Sequence, residues 1–173
     1  MADEKTQSTE AMFSTIAARY DRCNRLFSLG IDRRWRKQLA QAIGAGAGEN
    51  NMALDVCCGT GEMAFALLKH SSVKTVVGID CSERMIQLAQ EKRIVQSARR
   101  WMAHKTLRLR VEDAAQLTSA DETFDAATAA FGLRNILDYA AALRQMYRVL
   151  KPGGCVGICE FSLPKQRAVR AAY

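Results

Sequence analysis

The chain of 173 residues is short of several things, and each shortage closes off a chemistry. It has two histidines, His70 and His104. His70 falls at the end of an apolar helical pattern, where a cationic side chain suits the helix dipole. Neither lies within a catalytic pattern, so any proton released must go to a carboxylate or to water. The six cysteines, Cys23, Cys57, Cys58, Cys81, Cys155 and Cys159, form no pair at zinc-finger spacing and match no histidine pair. They read as reduced, buried fillers, and no metal is expected. No apolar run approaches the roughly 20 residues of a membrane span. The start, Met1-Ala2-Asp3-Glu4-Lys5, lacks the apolar core and cleavage site of a signal peptide, so a cytoplasmic location is expected. Internal repeats and low-complexity linkers are absent.

What is present is apolar and basic. Apolar residues make up 49% of the chain, enough for a real core in one compact domain. The net charge is +7, placed unevenly. Seven Lys/Arg stand between Arg19 and Lys37 against Asp21 and Asp32, and eight between Arg84 and Arg110 against Glu91 alone. Such faces serve nucleic acid, an anionic membrane surface, or solubility only. Within Arg84–Arg110 Trp101 is the sole aromatic, so a base-stacking platform is missing and no nucleic-acid partner is expected.

Residues 8–43 carry apolar positions at helical spacing, with Trp35, Leu39, Ala42 and Ile43 on one side. Gly44-Ala45-Gly46-Ala47-Gly48 then breaks the pattern and acts as a hinge. This divides the chain into an N-terminal helical segment, 1–48, and a core, 49–173. In the core, strands and helices alternate. Strands are expected at Met52–Cys57, Lys74–Ile79, Thr106–Val111, Phe124–Ala130 and Cys155–Phe161. Helices are expected at Glu62–Lys69 (Met63, Ala66 and Leu67 inward) and from Ser82 as N-cap to about Gln96 (Met85, Leu88, Ala89 and Val95 inward). A third runs over Asp138–Leu150, ended by Pro152-Gly153-Gly154. Alternation implies an α/β fold, a doubly wound and mostly parallel sheet with right-handed crossovers. Such a sheet binds ligands at the carboxyl ends of its strands. There Gly59–Gly61, Asp80, Asp113 and Ala130–Asn135 are expected to converge.

The first strand runs into Cys57-Cys58-Gly59-Thr60-Gly61, and the second ends in Asp80. Gly59 and Gly61 let a ligand approach the backbone, and the helix that follows offers free N–H groups. A carboxylate at the next strand tip accepts hydrogen bonds from both hydroxyls of a ribose. Gly59-x-Gly61-x-x-Ala64 with Asp80 also fits a dinucleotide fingerprint. Three features favour S-adenosylmethionine over NAD. Asp55, inside the first strand, suits the positive amino group of a methionine moiety. Asp113, after the third strand, suits an adenine amino group. The exit of the fourth strand, Phe131-Gly132-Leu133-Arg134-Asn135, is polar where a substrate would sit.

The chain resembles the ubiquinone/menaquinone-biosynthesis C-methyltransferases. The likeness runs through residues 12–21 and 28–36, Leu54–Glu62, Val77–Asp80, Ala130–Asn135, Met146–Gly154 and Glu160-Phe161-Ser162. It implies a Rossmann-like methyltransferase fold with S-adenosylmethionine as cofactor and a prenylated quinol ring as the carbon acceptor. It places Thr60, Asp80, Asp113, Ala114 and Ala130 at cofactor positions, and Tyr20 and Arg134 near the ring. Arg134 is then the partner of the ring phenolate, unless it simply pairs with Asp138. Asn135 either orients water or substrate, or caps the next helix. Tyr20 either lines the ring pocket or is an ordinary half-buried tyrosine. A lipid-tailed substrate implies contact with the inner face of a membrane, through Leu26, Phe27, Leu29, Arg33, Arg34 and Arg36. Cys57 stands where many methyltransferases carry Gly or Ala. The resembling family continues past the fifth strand, so that strand is expected to leave an open edge, inviting self-association.

Overall fold

The computed structural model describes residues 28, 30–45 and 51–161. The order of elements is α1 (Ile31–Ala45), β1 (Met52–Val56), α2 (Glu62–His70), β2 (Thr75–Asp80) and α3 (Glu83–Ser97). A 3-10 turn (Arg100–Met102) leads to β3 (Thr106–Val111) and β4 (Phe124–Ala130). A second 3-10 turn (Leu133–Asn135), α4 (Tyr139–Arg148) and β5 (Leu150–Cys159) complete it. The strands form one parallel sheet in the order β3-β2-β1-β4-β5. The order reverses between β1 and β4, which opens a crevice above their carboxyl ends.

The apolar residues explain this layering. Ala53 of β1, Val76 of β2 and Ala126 of β4 meet Ala40 and Ile43 of α1 and Met63, Ala64 and Leu67 of α2 on one face. Leu54 and Val56, Val77 and Ile79, Ala127 and Ala129 meet Ala142 and Met146 of α4 on the other. β1 is buried on both faces, as a central parallel strand should be. Among the described residues no helix is long and apolar enough to cross a membrane.

The elements differ from expectation at four places. Ser28 and Gly30 both lie in a turn, with Gly30 at φ 78, so the helix begins only after Gly30. α1 starts at Ile31 and continues through Gly44 to Ala45. The face α1 buries is Asp32, Arg36, Ala40 and Ile43; Trp35 and Ala42 are exposed. It is set by β5, where a Cβ on Gly157 would stand 2.7 Å from Leu39 Cδ1 and 3.0 Å from Ile43 Cδ1. In α3 the buried residues are Met85, Ile86 and Ala89, while Val95 is exposed. Finally, β5 begins at Leu150, before Pro152-Gly153-Gly154. That segment is a bulge within the strand, since Leu150 pairs with Phe124 but Cys155 with Ala126. Val156 and Ile158 of this edge strand are exposed.

Two cysteines also correct the reading of buried fillers. Cys58 is buried, but Cys81, at the tip of β2, and Cys155, on the edge strand, are exposed.

Candidate functional site

The loop from β1 to α2 is built around two glycines with different tasks. At Gly59, φ is +53 and a Cβ would meet nothing within 4 Å, so this backbone faces open space. At Gly61, φ is +87 and a Cβ would stand 3.1 Å from Phe65 and 3.5 Å from Ala89 of α3. Gly61 therefore serves helix packing rather than ligand approach. Thr60 is buried, and its hydroxyl accepts a hydrogen bond from Lys92 of α3 at 2.8 Å. Its side chain is thus engaged with α3, and its backbone belongs to the open turn.

Asp80 ends β2 and locks this turn. One carboxylate oxygen accepts the Gly59 N–H at 2.8 Å and the other the Ser82 N–H at 3.0 Å. Ser82 in turn caps α3 by accepting the Met85 N–H. Asp113 follows β3, is exposed, and accepts the Ala115 N–H at 2.9 Å. Ala114 is buried, and Ala130 ends β4 opposite Cys159.

Asp55 is the unusual member. It is fully buried within β1. Thr128 of β4 donates to its Oδ1 at 2.8 Å, while Oδ2 is a buried oxygen without a hydrogen-bond partner among the described residues. Burial pushes its pKa up from 3.8 to about 7, against the Thr128 hydrogen bond and the pull of Arg36. An orphaned buried carboxylate oxygen is costly and calls for a cationic partner. Nearby, burial pushes the Cys57 thiol well up, and Asp80, Cys81, Asp55 and Asp113 push it the same way. The thiol stays protonated and is no nucleophile.

The exits of β1 and β4 touch. Cys57 and Phe131 both adopt positive φ, 53 and 64, which strains residues with a Cβ. Gly132 relieves the contact, since a Cβ there would stand 2.4 Å from Cys57 Cβ. Beside them an aromatic cluster joins α1 to the ends of β4 and β5. The Phe131 and Phe161 rings lie 4.8 Å apart, with Trp35 6.2 Å from the first and 6.1 Å from the second. Two guanidinium groups cover it: Arg36 stands 4.8 Å from the Phe131 ring and Arg134 5.2 Å from the Phe161 ring.

Arg134 lies in the 3-10 turn after β4 and pairs with Glu160, not with Asp138. Asp138 instead caps α4 by accepting the Ala141 N–H at 2.7 Å, which also removes that role from Asn135. Arg36, expected on an outward basic face, is buried and paired with Asp32. Burial disfavours the Asp32 carboxylate, yet the Ser28 hydroxyl and Arg36 hold its pKa below 3.8. Tyr20, Leu26, Phe27 and Leu29 lie outside the described residues.

The site therefore brings together Asp55, Gly59, Asp80 and the β4 exit with Arg134. The sequence reading missed Thr128, and it named Phe131, Arg36 and Glu160 without the contacts they make here. A hydroxyl within an otherwise alanine-rich strand was a signal for Thr128. Arg36 recurs four residues after Asp32, a helical ion-pair spacing. Nothing local marks the ring contacts of Phe131 or the ion pair of Glu160, whose partners are distant in the chain.

Comparison with known proteins shows what the chain is similar to. The whole chain, residues 1–173, matches the profile of the ubiE/COQ5 methyltransferase family. It is 40% identical to a demethylmenaquinone methyltransferase of Lactiplantibacillus plantarum, over all of this chain and 70% of that protein. It is 43% identical to a ubiquinone/menaquinone biosynthesis C-methyltransferase of a Geobacter species, over 98% of this chain and 70% of that one. The chain spans about two thirds of the length of the curated relatives it matches. Among solved structures, a SAM-dependent methyltransferase from Aquifex aeolicus shares the fold with a TM-score of 0.66 at 22% identity, over 89% of this chain and 76% of that one.

Proposed function

The chain belongs to the ubiE/COQ5 methyltransferase family, whose cofactor is S-adenosylmethionine, and from that premise we propose that it methylates a prenylated quinol on a ring carbon. The residues fit the cofactor. Asp55, Asp80 and Asp113 all act on the Cys57 thiol at the β1 exit, and that negative field is hostile to the pyrophosphate of a dinucleotide and favours a cation. The observation that carries the reading is the buried Oδ2 of Asp55 at the switch point of the sheet, without a partner among the described residues. We assign Asp55 to the cofactor's amino group, Asp80 to its ribose, Gly59 and Gly61 to the turn around it, and Thr60 to that turn through its backbone. Asp113 and Ala114 fall to the adenine and Ala130 to the floor.

When bound, the cofactor supplies an electrophilic methyl group on a positively charged sulfur. The protein's own part is to position the acceptor and make its carbon nucleophilic. Arg134 stays cationic and offers several donors, which suits a ring phenolate oxygen. Asn135, in the same 3-10 turn, and Tyr20 are assigned to orient the ring. The segment 1–48 is read as the cover over the acceptor, and 49–173 as the cofactor core. The lipid tail of such a substrate places the enzyme at a membrane surface.

The test is turnover of a reduced, demethylated prenyl quinol with S-adenosylmethionine, read as a mass gain of one methyl on the ring. Methylated quinol formed at a rate that rises with protein concentration is expected. Calorimetric preference for NAD over S-adenosylmethionine would overturn the cofactor assignment, and absence of methylated quinol would overturn the substrate.

A further inference from the structure

Arg134 does not hold its position alone. It sits exposed in a single 3-10 turn, and an arginine there has much rotamer entropy to lose when fixed. Glu160, just past the end of β5, grips it twice. Its Oε1 accepts from the Arg134 guanidinium, and its Oε2 from the Arg134 backbone N–H at 3.4 Å. The same Oε1 accepts the Phe161 N–H at 3.2 Å. The next ring, Phe161, lies 5.2 Å beneath the guanidinium. Two successive residues thus hold one cation from two sides and tie the exit of β4 to the exit of β5.

A half-exposed ion pair of this kind adds little to stability, so stability is a weak reason for it. Placement is a stronger one. We propose that Glu160 is a positioning residue that aims the Arg134 guanidinium at the acceptor; this rests on the reading of Arg134 as the phenolate partner. Glu160 takes no proton in this account. Its charge also opposes the field of Arg134, so the device trades some cationic strength for a fixed direction.

The decisive measurement is a double-mutant cycle on quinol turnover with Glu160→Gln, Arg134→Gln and the pair of changes together. Affinity for S-adenosylmethionine is measured by calorimetry on each variant. Glu160→Gln is expected to lower kcat at least tenfold with cofactor affinity within twofold of wild type. The double variant is expected to be no slower than Arg134→Gln alone, because Glu160 acts only through Arg134. A merely structural role would multiply the two losses and lower cofactor affinity as well. Glu160→Asp, which keeps the charge at shorter reach, is expected to fall between wild type and Glu160→Gln, and serves if the glutamine variant does not fold. Unchanged or faster turnover in Glu160→Gln, or losses that multiply, overturns the inference. Wild-type turnover with Arg134→Gln at full rate overturns the assignment of Arg134 itself, and the inference with it.

Discussion

A single carboxyl shows how burial and binding are coupled. Asp55 has its pKa pushed to about 7 by burial, whereas the unfolded chain holds it near the ordinary 3.8. Between those values the folded chain binds the extra proton, so this residue makes stability fall as pH rises from about 4 to about 7. Moving an acid that far is worth roughly 4 kcal/mol at most. Asp55→Asn keeps the shape and removes the charge. The variant is expected to melt several degrees higher than wild type at pH 8 and close to wild type at pH 5, measured by calorimetric scanning without cofactor. The same carboxyl, ionised, is the partner for a cation. Affinity for S-adenosylmethionine is therefore expected to weaken as pH drops below 7 in wild type, and to be at least tenfold weaker and nearly flat with pH in Asp55→Asn. An unchanged affinity for that variant would remove Asp55 from the cofactor site. Asp55, Gly59 and Asp80 were legible in the sequence because a turn and two strand tips place them. Thr128, which fixes one oxygen of Asp55, was not, because it arrives from a strand 73 residues away.

Elements were legible where periodicity alone decides them. β4 is apolar and short between turn signals, and Phe124–Ala130 is found as read. The fifth strand was not, because Pro152-Gly153-Gly154 carries the chemistry of a turn while the sheet absorbs it as a bulge. The inward face of α1 was misread for a related reason. A pattern cannot tell that a glycine on β5 makes room for Leu39 and Ile43 and turns Arg36 inward. The meeting of the β1 and β4 exits is equally tertiary, and it gives a test of how tightly two elements are fitted. Gly132→Ala places a Cβ 2.4 Å from that of Cys57, well inside the roughly 3.5–4.0 Å of a carbon contact. Overpacking of this kind costs about 1–3 kcal/mol, and the site must shift to accept it. The variant is expected to lose about that much in urea unfolding and to bind S-adenosylmethionine several-fold more weakly. Adding Cys57→Gly removes the struck atom and suits the φ of 53 at that position. Recovery to within about 1 kcal/mol of wild type is expected, and failure to recover would place the constraint elsewhere than this contact.

Across the whole molecule, parallel pairing was implied by alternation and the layering is set by the apolar faces, but the distribution of charge depends on which basic residues the packing leaves outside. The stretch from Arg19 to Lys37 reads as uniformly basic, yet the fold divides what is described of it. Arg36 turns inward to Asp32 and Phe131. Arg33, Arg34 and Lys37 stay exposed on the outer face of α1, beside Ile31 and Trp35, which are 45% and 39% exposed. Cations flanking exposed apolar side chains suit an anionic lipid surface, where each contributes about 1 kcal/mol near the headgroups. The proposed membrane contact therefore depends on Arg33 and Arg34 and not on Arg36. Reversing both, Arg33→Glu with Arg34→Glu, is expected to weaken binding to vesicles containing phosphatidylserine by more than tenfold in a sedimentation assay. Wild-type binding is expected to fall as salt rises, since the Debye length shrinks to about 3 Å at 1 M. Arg36→Gln, by contrast, is expected to cost about 3–5 kcal/mol of folding stability, because it leaves the Asp32 carboxylate buried without its partner. Where it still folds, its binding to vesicles is expected to match wild type. Vesicle binding that survives the double reversal, or that is insensitive to salt, would move the membrane contact off this face.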